Sequence, residues 1–124
     1  MGSYRVQDTP SGSRTLVYRG DTEIKIHSAY DPAREADRAA ESFTRGRATV
    51  IVACGLGLAW HLEALRRRNP GCSLVAVERD REVVALAREI YPHFLDGVMI
   101  VTSPAEIPDA LENIDIATFR GAAV

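Results

Sequence analysis

"VIVACGLGLAWHLEAL", residues 50–65, decides how this chain folds. Thr49–Ala53 reads as a strand buried on both faces, because apolar residues run together there instead of alternating with polar ones. Gly55-Leu56-Gly57 breaks the run, and Leu58, Leu62 and Leu65 then recur at helical spacing. Strand, glycine turn and helix in that order predict the first unit of a parallel α/β sheet, in which the turn lies at the carboxyl end of its strand.

Reading onward, Arg66-Arg67-Arg68 falls at the helix end, where cations complement the helix dipole and a solvated end is expected. Asn69-Pro70-Gly71 stops it. Ser73–Val77 is a second buried strand. Asp80 then caps a helix through Val83, Val84, Ala87 and Ile90, closed by Tyr91-Pro92. Val98–Val101 is a third strand. Ser103-Pro104-Ala105-Glu106 has the spacing of a capping box with proline at the first helical position, and Ile114–Phe119 is a candidate fourth strand. Right-handed crossovers make this succession a parallel sheet flanked by helices. A doubly wound fold continues through a second set of strands, so the segment is expected to be a truncated half.

Reading backward, Tyr4–Asp8, Arg14–Arg19 and Glu23–Ser28 are short strands parted by "TPSGS" and "GD". Ile24 and Ile26 alternate with Lys25 and His27, as on a strand with one wet face. Asp31 and Pro32 open a helix whose Ala33, Ala36, Ala40 and Phe43 share a face, ending before Gly46. The expected fold class is α/β: a small antiparallel meander and linking helix over residues 1–46, then a partial Rossmann-like parallel sheet over residues 47–124.

Size permits one compact unit: 124 residues, 46% of them hydrophobic. Fifteen basic against 17 acidic side chains give a net charge of −2, from which no nucleic-acid and no membrane partner is expected. Cys54 and Cys72 have no metal-ligand spacing and read as buried free thiols of a cytoplasmic protein. No apolar run reaches the length of a membrane helix.

The glycine turn carries the functional question. Gly55 would permit the tight corner and Gly57 the close approach of a ligand, with the free amides of the next helix beside it. A third glycine of the dinucleotide pattern is missing, since Trp60 stands there. Glu78, 23 residues after Gly55 at the end of the second strand, could accept both hydroxyls of a ribose; its other reading is a solvated side chain or a partner of Arg79. The candidate cofactor-binding residues are Gly55, Leu56, Gly57, Glu78, Arg79 and Ser103. Trp60 reads as packing and His61 as a surface or core-edge residue. His27, Ser28, Tyr30 and Asp31 read as a polar corner in which Ser28 and Asp31 compete to cap the helix. Neither a catalytic set nor a metal site can be assigned from spacing.

Gly55-Leu56-Gly57 with Glu78 resembles the first two motifs of S-adenosylmethionine methyltransferases, although Ala53 and Cys54 stand where those enzymes commonly carry an acid. "IHSAYDPAREADR", "GLGLAWHLEAL" and "VAVERD" together are similar to the motility accessory factor family, over about Thr15 to Asp80. That second resemblance implies a part of a transferase of sialic-acid-like sugars, with a nucleotide-sugar ligand and flagellin as partner. The leading expectation is thus a nucleotide- or nucleotide-sugar-associated domain of flagellin glycosylation, not active alone. The alternative is an S-adenosylmethionine-dependent methyltransferase or methyltransferase-like domain. A third reading is a scaffold that forms a homodimer through its open sheet edges.

Overall fold

The computed structural model describes residues 2–43, 46, 48–111 and 122–123. The apolar run after Ala48 forms strand β4 (Val50–Cys54), which lies between β5 (Ser73–Val77) and β7 (Ala122–Ala123). With β6 (Val98–Val101) outside β5, the sheet has the order β6-β5-β4-β7, and every pair is parallel. Chain order therefore runs outward from β4 through β5 to β6 and returns to the opposite side of β4. Such a reversal leaves a crevice beyond the carboxyl end of the strand where it occurs, and that strand leads into Gly55. The expected strand at Ile114–Phe119 lies outside the described residues.

Both faces of this sheet are covered, which is why its strands are continuously apolar. Ile51, Leu74 and Ala76 pack with Leu62, Leu65, Val83, Ala87 and Phe94 on one side, while Val50, Val52, Val75 and Val101 form a second cluster on the other. Helix α2 (Trp60–Arg68) follows β4 and helix α3 (Arg81–Ile90) follows β5. Asp80 caps α3 by accepting from the Glu82 amide at 3.0 Å. Helix α4 (Ile107–Leu111) follows a short 3-10 turn, Pro104–Glu106. Ser103 does not cap that turn with its side chain. Glu106 instead accepts from the Thr102 amide and hydroxyl, because the tight turn brings the glutamate back one residue farther than a capping box would.

The amino-terminal strands β1 (Ser3–Asp8), β2 (Arg14–Arg19) and β3 (Glu23–Lys25) form the expected antiparallel meander. Helix α1 (Pro32–Ser42) starts as its sequence dictates: Asp31 accepts from the Arg34 amide, Pro32 occupies the first turn, and Ala36 and Ala40 are buried. Ser28 does not compete with Asp31. Its hydroxyl accepts from the amides of Tyr30 and Asp31 and shapes the approach to the cap.

Three expectations fail, each because a tertiary contact outweighs local pattern. β3 ends at Lys25 with all three of its residues exposed, and the expected inward side is wet: Ile24 is 51% and Ile26 41% exposed, whereas His27, beyond the strand, is 8% exposed. The edge strand breaks off so that His27 can turn inward to the glycine turn. The cysteines are not buried; Cys54 is exposed and Cys72 half-buried, since Cys54 ends its strand at the crevice. The arginine run is paired, not merely solvated: Arg68 bonds both oxygens of Asp37 on α1 at 2.9 Å, and Arg66 reaches the carbonyls of His93 and Phe94.

Trp60, in the place of a third glycine, packs edge-on against Tyr91 and Phe94 with ring centroids 4.9 Å away. Its Nε1 donates to the Arg14 carbonyl at 2.8 Å, and the Arg14 amide donates to the Tyr91 hydroxyl at 3.0 Å. Tryptophan thus fastens the meander to the parallel sheet. Trp60→Phe keeps the ring cluster and removes one hydrogen bond, so it is expected to cost about 1 kcal/mol in urea unfolding; an unchanged midpoint would mean that the bond to Arg14 contributes nothing.

Candidate functional site

A crevice of about 380 Å³ opens at the carboxyl end of β4, at the low end of the size range of small-molecule sites. Its floor is the glycine turn, with Cys54, Gly55, Leu56 and Gly57; Glu78 and Val83 form one wall and His61 another. Tyr4, Leu16, Ile26 and His27 of the amino-terminal segment form the roof. Four of the six expected ligand residues, Gly55, Leu56, Gly57 and Glu78, are brought together here. Arg79 and Ser103 are not among the lining residues.

The two glycines exchange the roles expected of them. Both have positive φ, +92° at Gly55 and +53° at Gly57, so both need the freedom of glycine. A Cβ on Gly55 would meet nothing within 4 Å, and it is Gly55 that leaves room for a ligand. A Cβ on Gly57 would fall 2.4 Å from Nε2 of His27. The group that approaches Gly57 closely is therefore the protein's own imidazole.

Glu78, half-buried, is held by backbone amides and not by Arg79. Its Oε1 accepts from the Leu56 amide at 3.0 Å and its Oε2 from the Asp80 amide at 3.1 Å. The carboxylate is thereby fixed across the mouth of the turn, each oxygen keeping further lone pairs for a ligand hydroxyl. Tyr4 donates to Asp80 Oδ2 at 2.8 Å. Its burial, together with the Asp80 carboxylate it bonds, pushes the phenol up to about 12.

His27 Nε2 accepts from the Leu58 amide at 2.8 Å, which places the ring proton on Nδ1. Burial, with His61 nearby, lowers its pKa to about 4, so the ring is neutral at pH 7. His61 donates from Nε2 to the Gly55 carbonyl at 3.0 Å, and burial lowers its pKa too. The ring centroids of the two histidines lie 6.4 Å apart. His27 is the site residue that the sequence reading placed in a capping corner. Its regular alternation with Ile24 and Ile26 gives no local signal of that role, which rests on a contact 31 positions away.

Among the described residues no group of three or more metal-ligating side chains comes together, and no helix is long and apolar enough to cross a membrane.

No family model matches the chain. It is similar to the ribosomal RNA small subunit methyltransferase H of Streptomyces avermitilis, with 37% identity over 73 residues, 58% of this chain and 23% of the relative. The protein of the same name from Pseudarthrobacter chlorophenolicus is 31% identical over 117 residues, 93% of this chain and 33% of the relative. That from Clavibacter michiganensis is 35% identical over 78 residues, 62% and 24%. The chain thus spans a third or less of the length of these relatives. They bear out the methyltransferase-like resemblance and not the one to motility accessory factors, with its nucleotide-sugar and flagellin. The expectation of no nucleic-acid partner is overturned as well, because these relatives are named for ribosomal RNA. Net charge summed over a chain does not say where its cations stand. The chain is methyltransferase-like in sequence and α/β in fold.

Proposed function

We propose that this chain forms the cofactor-binding part of an S-adenosylmethionine-dependent methyltransferase whose acceptor is RNA. The observation that carries this reading is the crevice at the switch point of the sheet, which is lined both by Gly55, open on its Cβ side, and by a carboxylate pinned at the end of the next strand. Glu78 would accept the ribose hydroxyls, and Gly55 and Leu56 would let the rest of the cofactor lie against backbone. The cofactor, when bound, supplies an electrophilic methyl group. Residues 47–124 would then provide the floor of the site and residues 1–46 its roof. The RNA acceptor is inferred from the names of the relatives.

Calorimetric titration with S-adenosylhomocysteine tests the cofactor. Wild-type protein is expected to bind it, and Glu78→Gln to bind it about ten- to a hundredfold more weakly, the range for losing hydrogen bonds to a charged group. A folded wild-type protein with no affinity for S-adenosylhomocysteine would overturn the reading and leave the scaffold as the better one.

A further inference from the structure

Four amides of the glycine turn are engaged within the protein. Gly55 N–H donates to the Val77 carbonyl at 2.8 Å, Leu56 N–H to Glu78 Oε1 at 3.0 Å, Leu58 N–H to His27 Nε2 at 2.8 Å and Ala59 N–H to the Leu56 carbonyl at 2.9 Å. A turn that cradles a pyrophosphate works the other way: successive backbone amides converge on the anion and the strand-to-helix corner is left clear for it. Here the corner is filled. His27 is 8% exposed, and its imidazole lies where even a methyl group on Gly57 would collide with it. Being hydrogen-bonded through Nε2 as an acceptor, it also presents no positive charge to an anion. Glu78 meanwhile holds a negative charge against Leu56.

Resting on the cofactor assignment above, we propose that His27 is a specificity-determining residue. By taking the Leu58 amide and filling the space over Gly57, it excludes phosphate from the glycine turn and confines the crevice to adenosine ligands without phosphate. Glu78 can take the ribose hydroxyls of ADP as readily as those of S-adenosylhomocysteine, so the turn is the end of the site where the two ligands are told apart. A diphosphate brought against the turn loses the Leu58 donor and the room over Gly57, whereas a thioether or sulfonium sulfur needs no donor there.

The test compares ADP with S-adenosylhomocysteine by calorimetry on wild type, His27→Ala and His27→Gln. His27→Ala frees the Leu58 amide and opens the corner, and is expected to raise ADP affinity relative to S-adenosylhomocysteine affinity about tenfold or more, the worth of one charge-assisted bond. His27→Gln keeps an acceptor for Leu58 and is expected to exclude ADP as wild type does. Wild type binding ADP as tightly as S-adenosylhomocysteine, or a folded His27→Ala protein with no gain for ADP, overturns the proposal. If wild type fails to bind S-adenosylhomocysteine, the cofactor reading falls, while the ADP gain in His27→Ala still decides for or against His27. Should His27→Ala not fold, the Leu58 amide resonance of wild type is followed as millimolar ADP is added. An unmoved resonance is expected, and a shift centred on Leu58 refutes the exclusion.

Discussion

Gly57→Ala is expected to lose about 3 kcal/mol of stability, from about 1–2 for a left-handed backbone under a side chain and about 1–3 for overpacking. The backbone share follows from φ +53°, and the packing share from a Cβ placed 2.4 Å from His27 Nε2 and 2.8 Å from its Cε1. His27 cannot simply swing aside, because it is buried and accepts from Leu58 N–H in the same turn. Moving it leaves that amide without its partner, so the substitution harms the turn twice. In thermal unfolding the midpoint should fall by on the order of 10 °C. Gly55→Ala supplies the contrast: its φ is +92° but the space beside it is open, so only the backbone share of about 1–2 kcal/mol is expected. The decisive comparison is His27→Ala combined with Gly57→Ala. If the collision is the cause, the double variant loses less than the sum of the single variants by about 1–2 kcal/mol. Additive losses would show that the two residues do not meet.

The contrast between these glycines marks how far the sequence could be read. The parallel sheet was legible because continuous apolar strands and helical stripes alternate from Val50 to Val101, and its helix starts because Asp31-Pro32 and Asp80 are strong local signals. Glu78 was legible as a strand-end acid facing a glycine turn. Its bond to Leu56 was not, since it joins residues 22 positions apart. His27 was read as part of a capping corner because local alternation put Ile24 and Ile26 inside. The strand instead stops at Lys25 and His27 turns inward beyond it, where it gains a hydrogen bond 31 positions away. Likewise, whether Trp60 faces a ligand or a neighbour depends on Tyr91 and Phe94, which only the folded chain brings to it. Local period and capping chemistry specify elements; the occupant of a crevice is a long-range property.

That long-range contact should make the protein sensitive to mild acid. His27 is neutral in the native state with its pKa lowered to about 4, chiefly by burial and then by His61 beside it, while in the unfolded chain it titrates near its ordinary 6.5. Between these values the unfolded chain binds a proton that the native state refuses, so stability falls as pH is lowered through this window and stops falling on this account below about 4. The full loss is about 3 kcal/mol, at about 1.4 kcal/mol per pH unit. His61, lowered in the same direction by burial, steepens the slope. Asp37 does not confuse the measurement: Arg68 holds its carboxyl below the usual range, so its contribution is lost only at lower pH. Urea unfolding at pH 7 and pH 5 should therefore show a lower midpoint in acid, and His27→Gln should remove most of the difference. Protonation of Nε2 also removes the acceptor for Leu58, so the protection of that amide, measured against its intrinsic exchange rate, should fall ahead of that of the sheet amides as the pH drops. A midpoint that is level from pH 7 to pH 5 in wild type would mean that His27 is open to water, and the corner over Gly57 would then be open as well.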